Sequence, residues 1–93
     1  PTSPIYHLLL GDAYQLSEQW QQADAAYTKA EQLAPRWAKP RVNHGLSLLA
    51  QGKAAEATRV FERTLALDPR NVQALLWKGD AERRAGLQTR AIN

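Results

Sequence analysis

The sequence predicts an all-α fold of stacked antiparallel helix pairs, and three observations carry that prediction. Glycines recur at an interval of 34 residues (Gly11, Gly45, Gly79), and so do Ala23, Ala57 and Ala91, Pro35 and Pro69, and the aromatic pair Tyr27 and Phe61. Between them, apolar residues fall three or four apart, the spacing of one helix face. Prolines and glycines punctuate these stretches where a helix pair would turn. A fixed period of 20–50 residues marks a repeat architecture.

Taken in order, Ser3-Pro4 reads as a helix start, with Ser3 as N-cap and Pro4 at the first helical position, where a missing N–H costs nothing. Ile5, Leu8, Leu9 and Leu16 form one stripe of this helix and Leu10, Gly11 and Tyr14 a second, so it is covered on two sides. After a turn at Ser17-Glu18-Gln19, a second helix shows the single stripe Trp20, Ala23, Ala26, Tyr27, Ala30 and Leu33. Pro35 stops it. Pro40 lies in the first turn of a third helix, which carries Val42, Leu46 and Leu49 on one stripe and Gly45 and Leu48 on another. Gly52 ends it, as glycine does in the left-handed conformation after a helix. The fourth helix carries Ala54, Ala57, Val60, Phe61, Thr64 and Leu65, and Asp68-Pro69 closes it. Asn71 is a good N-cap for a fifth helix with Val72, Leu75, Leu76 and Gly79, which Gly86 is expected to end. A sixth begins near Leu87 and is cut off at Asn93.

A mid-helix glycine costs about 1 kcal/mol against alanine, so three at equal spacing call for a packing reason. Without Cβ, each lets its helix approach a partner closely. The alanine twelve residues on supplies the small contact, and Tyr27 and Phe61 fill the space between adjacent hairpins. Glu18 occupies the turn where Gly52 and Gly86 sit, which predicts a differently shaped first turn. Trp20, on its apolar stripe, is expected in the core; Trp37, at the corner, fits a packing lid or a groove-rim anchor.

Ninety-three residues form one small domain over 1–93, divided as 4–37, 38–71 and a truncated 72–93. The chain starts at Pro1 and lacks methionine, which points to a piece of something longer whose array continues. With no cysteine there is neither a disulfide framework nor a thiolate metal site. No run approaches a membrane span and no signal-peptide pattern opens the chain, so a cytoplasmic and a periplasmic setting both stay open for a soluble segment. The bias to arginine, alanine and glutamine has a bacterial character. The net charge of +3 is uneven: residues 4–35 hold Lys29 against Asp12, Glu18, Asp24 and Glu31, whereas 36–69 and 70–93 are each positive. Solvated faces that differ in sign, or a gradient along a binding surface, would both give this pattern.

The residues resemble the tetratricopeptide repeat. The first unit matches as Leu10, Gly11, Tyr14, Ala23, Tyr27, Ala30 and Pro35. The second matches as Gly45, Leu48, Ala57, Phe61 and Pro69, with His44 and Thr64 departing. The third matches as Leu75, Gly79, Gly86 and Ala91, with polar Lys78 and Glu82 at places that are usually apolar, as at an edge of the array. This likeness spans Pro4 to Asn93 and implies a right-handed superhelix, an α-solenoid, whose first helices line a concave groove for partner peptides or helices. On the first helix that groove takes Ile5, Leu8, Leu9, Asp12 and Gln15. On the third it takes Lys39, Val42, Asn43, Leu46 and Leu49, and on the fifth Gln73, Leu76, Trp77, Asp80 and Arg83. The family's carboxylate clamp resembles two lysines, two asparagines and an arginine on these helices. Here only Asn43 is retained, with Leu8, Asp12, Gln73 and Trp77 at the others, so capture of a C-terminal carboxylate is disfavoured. An amphipathic helix suits the apolar remainder better, with anchors near Val42, Leu46 and Trp77.

Nothing in the residues supports an enzyme or a cofactor. His7 and His44 stand on different helices without a ligand set, no nucleophile elbow or phosphate loop is present, and Asp12 and Asp80 are two repeats apart. The expectation is a non-catalytic scaffold that binds a protein partner. The alternative is a homo-oligomerisation or spacer segment, self-associating through an open C-terminal end where Val72, Leu75 and Leu87 lie partly uncovered. A third, weaker reading is single-strand binding by Arg36, Lys39, Arg41, Arg70, Arg83, Arg84 and Arg90 with Trp37 and Trp77; the acidic first unit opposes it.

Overall fold

A computed structural model describes residues 2–92, with side chains from 2 to 90. It contains five helices and, among the described residues, no strand: α1 (Pro4–Leu16), α2 (Trp20–Leu33), α3 (Lys39–Ala50), α4 (Ala54–Leu67) and α5 (Val72–Ile92). Pairs α1/α2 and α3/α4 are hairpins, α3 also packs on α2, and α5 packs on α4, giving a slab of 46 × 30 × 15 Å.

Local chemistry sets the boundaries. Ser3 accepts from the Tyr6 N–H at 3.3 Å, with Pro4 at the start of α1. Asn71 Oδ1 accepts from the Ala74 N–H at 2.9 Å and so caps α5. Both hairpin turns are Schellman-type reversals in the same register: Gln19 N–H reaches Tyr14 O at 2.9 Å, and Lys53 N–H reaches Leu48 O at 2.8 Å. The residue at the bend is Gly52 (φ 80) in one and Glu18 (φ 58) in the other. The first turn therefore keeps the common shape, against expectation. Glu18 adopts the left-handed conformation at a steric cost, because the two flanking helices fix the reversal.

The core forms two clusters. One holds Leu8, Ala23 and Tyr27, with Tyr14 and Trp37 packed against it; the other holds Val42, Leu48, Leu49, Ala54, Ala57, Phe61, Ala74 and Ala81. The repeated glycines serve the rings of their own hairpins rather than a space between hairpins. A Cβ on Gly11 would stand 2.6 Å from Tyr27 Cε1, and one on Gly45 2.5 Å from Phe61 Cε1, whereas Gly79 faces open space. Trp20 is only half-buried, outside both clusters, because it sits in the exposed first turn of α2.

The fifth helix departs from expectation. It runs through Gly86 without a break, so no sixth helix starts at Leu87. The residues after Gly86 keep forming helical hydrogen bonds, which outweigh one glycine's propensity cost of about 1 kcal/mol. Gln88 Nε2 also donates to Gly52 O at 2.8 Å, tying the extension to the α3–α4 turn. The side chain of Ala91, the last member of the alanine series, lies outside the described residues.

Candidate functional site

The groove positions separate into three kinds. Leu8, Val42 and Leu49 are buried and belong to the core, not to a surface that a partner could touch; Val42 is 1% exposed. On a helix covered from two sides, those stripes serve the hairpin partner and the next unit. Ile5, Leu9 and Leu76 are exposed, Leu76 at 68%. Leu46 and Trp77 are half-buried and lean against the second core cluster.

The polar groove residues are largely engaged with one another. Tyr27 Oη donates to Asp12 Oδ1 at 2.6 Å, and Asn43 Nδ2 donates to the same oxygen at 3.0 Å, linking α1, α2 and α3. The Gln15 side-chain amide also contacts the Tyr27 hydroxyl at 2.7 Å. A phenol has one hydrogen, and the charged acceptor Asp12 makes the stronger bond. Burial, and then the bond to Asp12 and the charges of Asp12 and Asp24, hold the Tyr27 phenol far above its ordinary ionisation range. Asp80 lies against Arg83 Nη2 at 2.7 Å and Arg84 Nε at 2.8 Å.

Two hollows lie on or beside this face. Asp12, Gln15, Leu16, Asn43 and Leu46 enclose about 270 Å³ between α1 and α3. Leu16, 88% exposed, lines this hollow and was not among the positions expected on the groove. Its signal was there, since it shares the stripe of Ile5 and Leu9. A larger cleft of about 730 Å³ opens between the α2–α3 and α4–α5 loops, lined by Arg36, Trp37, Ala38, Lys39, Leu67, Asp68, Asn71 and Gln73. Lys39 and Gln73 fall here rather than on the apolar stretch. Trp37 packs on the first core cluster, as a lid would, and also walls this cleft.

The opposite side holds a different network. Ser47 Oγ donates to Asp24 Oδ1 at 3.1 Å and Gln51 Nε2 to Asp24 Oδ2 at 3.2 Å, while His44 Nδ1 lies 3.0 Å from Glu31 Oε2. Arg41 Nη1 stands 3.5 Å from Glu31 Oε1. These contacts join α2 to α3. Among the described residues no group of three or more His, Asp or Glu is placed to hold a metal ion.

A family model described as tetratricopeptide repeat matches residues 42–92. The chain belongs to the tetratricopeptide repeat family. Its curated relative Tetratricopeptide repeat protein 28 of Mus musculus is 30% identical over 88 residues, which are 95% of this chain and 4% of that protein. The chain thus spans a small fraction of that relative's length. Among solved structures, the Arabidopsis OM64 TPR domain superposes with TM-score 0.79 at 25% identity, over 87% of this chain and 67% of that one. The MamA protein gives TM-score 0.83 at 26% identity, over 98% and 50%. The first TPR of Spaghetti (RPAP3), solved with an HSP90 peptide, gives 0.81 at 23% identity, over 92% and 68%. The α-solenoid that the tetratricopeptide resemblance implied is the fold of this chain, and the family as a whole serves as protein-interaction scaffolds. Among the described residues, no helix is long and apolar enough to cross a membrane.

Proposed function

We propose that this tetratricopeptide segment is a non-catalytic scaffold that lays an apolar helix or peptide of a partner protein along its concave face. One observation carries the reading: Ile5, Leu9 and Leu16 on α1 and Leu76 on α5 present large side chains to solvent, with Leu46 and Trp77 half-covered between them. Isolated exposed leucines need no explanation, but a run of them across neighbouring helices of one face is what a buried partner would cover. Amphipathic helices dock into such grooves through apolar anchors, and the polar groups at hand are already engaged, Asp12 with Asn43 and Tyr27, and Gln15 with Tyr27. The first TPR of Spaghetti, with the same fold, was solved with a peptide bound; that likeness supports the mode only by analogy.

Peptides selected from a displayed helical library test the reading. They should lose about tenfold or more in affinity against Leu46→Asp and Leu76→Asp variants whose helical circular dichroism is intact. Selected peptides that bind the variants as well as the parent would remove the groove from consideration.

A second reading, self-association or spacing within a longer array, is favoured by Val72, Leu75 and Leu87, all exposed on α5. Sedimentation across a concentration series checks it, and a species that stays monomeric throughout would dismiss self-association.

A further inference from the structure

We propose that the cleft between the two inter-unit loops receives an acidic stretch of the bound partner, so that the partner combines apolar anchors with a short run of aspartate or glutamate. The inference deepens the groove reading and rests on it for the partner being a peptide.

Arg41, Lys78, Arg83 and Arg84 are committed to carboxylates of their own chain. Arg36, in the corner before α3, and Lys39, the first residue of α3, are exposed and, among the described residues, have no such partner; both line the cleft. Its one acid, Asp68, accepts from Asn71 Nδ2 at 3.2 Å on the second loop, across the cleft's lining from Arg36 and Lys39. The lining thus carries two cations against one carboxylate, around a cleft large enough, at about 730 Å³, for several side chains. Its wall is firm. Trp37 is half-buried against the first core cluster, and its N–H is held by Ala34 O at 3.0 Å.

The cleft also continues the groove. Lys39 and Leu46 lie on the same helix seven residues apart, about 10 Å at 1.5 Å per residue. An extended peptide covers that distance in about three residues. Acidic residues set some three positions from an apolar anchor would therefore meet Arg36 and Lys39 while the anchor sits at Leu46. The same chemistry disfavours a nucleic-acid strand as the occupant. Its continuous phosphates would extend past the cations toward a first unit that is net negative, whereas a short acidic run ends at them.

The probe is a fluorescein-labelled peptide with three glutamates set three residues ahead of a leucine pair, measured by anisotropy on the full 93-residue chain. Its glutamine counterpart and a labelled oligothymidylate are run beside it. The glutamate peptide should bind about tenfold tighter than the glutamine one, and Arg36→Glu with Lys39→Glu should abolish that difference. The same charge reversal at exposed Arg59 and Arg63 should leave it intact. Equal binding of the two peptides, no binding of either, or an equal loss from the Arg59 and Arg63 variant would overturn the proposal. So would oligothymidylate that binds tighter than the peptide and displaces it. Leu46→Asp separates the two readings. If it weakens both peptides while Arg36→Glu with Lys39→Glu changes nothing, the groove stands and the acidic cleft falls. If it changes nothing while the glutamate preference persists, the cleft stands and the groove falls.

Discussion

Tyr27 donates its one phenolic hydrogen to Asp12 across 2.6 Å, and Asp12 in turn accepts from Asn43 of the following unit. A residue expected to meet the partner is thus the pin that fixes one repeat against the next. The bond also joins the buried ring that fills the Gly11 hairpin to the surface of the groove.

Tyr27→Phe should lower unfolding free energy by about 1.5–3 kcal/mol, the usual contribution of a hydrogen bond to a charged group. Urea denaturation at neutral pH measures it. The pH dependence has a definite sign. The folded chain holds Tyr27 neutral above its ordinary value of 10.0, while the unfolded chain ionises there. Stability from this group is complete below pH 10 and is lost as pH rises beyond it, by about 1.4 kcal/mol per pH unit. The gap between the parent and Tyr27→Phe should therefore shrink above pH 10.

Gly11→Ala and Gly45→Ala should each destabilise by about 1–3 kcal/mol, since the new methyl group meets a ring enclosed in the core. Gly79→Ala meets nothing and should stabilise by up to about 1 kcal/mol. Three denaturation curves separate the cases; a common sign for all three variants would contradict this account of the packing.

Glu18→Gly should stabilise the chain by about 1 kcal/mol, because glycine enters the left-handed region without the penalty that Glu18 bears at φ 58. Gly52→Ala should do the reverse. Thermal melts of the two variants should move in opposite directions.

Asp24→Ala should cost about 1–3 kcal/mol, because it strands the fully buried hydroxyl of Ser47 along with Gln51. Restoring much of that loss by adding Ser47→Ala would confirm the coupling, and strict additivity would refute it.

The repeat period and the caps were readable because each depends on near neighbours in sequence. Ser3, Asn71, Gly52 and the two prolines act within one turn of their positions. Gly86 misled for the converse reason. A glycine ends a helix only where the chain must reverse, and what holds α5 straight includes Gln88 on Gly52, a contact 36 residues long. The groove was half legible. Periodicity marks Leu8, Val42 and Leu49 as apolar, but which of two apolar stripes is enclosed depends on the tilt between hairpins, and no spacing encodes that. The Asp12–Tyr27–Asn43 link was likewise invisible, because it spans three helices.

The two joints of the array are made of different chemistry. Asp24 and Glu31 of α2 meet Arg41, His44, Ser47 and Gln51, whereas their counterparts one period later are Thr58, which bonds back to Ala54 O, and Leu65, which packs with Ala85 against the core cluster that holds Ala81. Joining the first unit directly to the third would put Leu75 in the place of Arg41 and Ala81 and Ala85 in the places of Ser47 and Gln51, leaving Lys78, the counterpart of His44, as the donor for both carboxylates. The modules look alike by their glycines and aromatics, yet permuting them would exchange a hydrogen-bonded seam for a single cation against two carboxylates, so the linear order of the array is written in its seams.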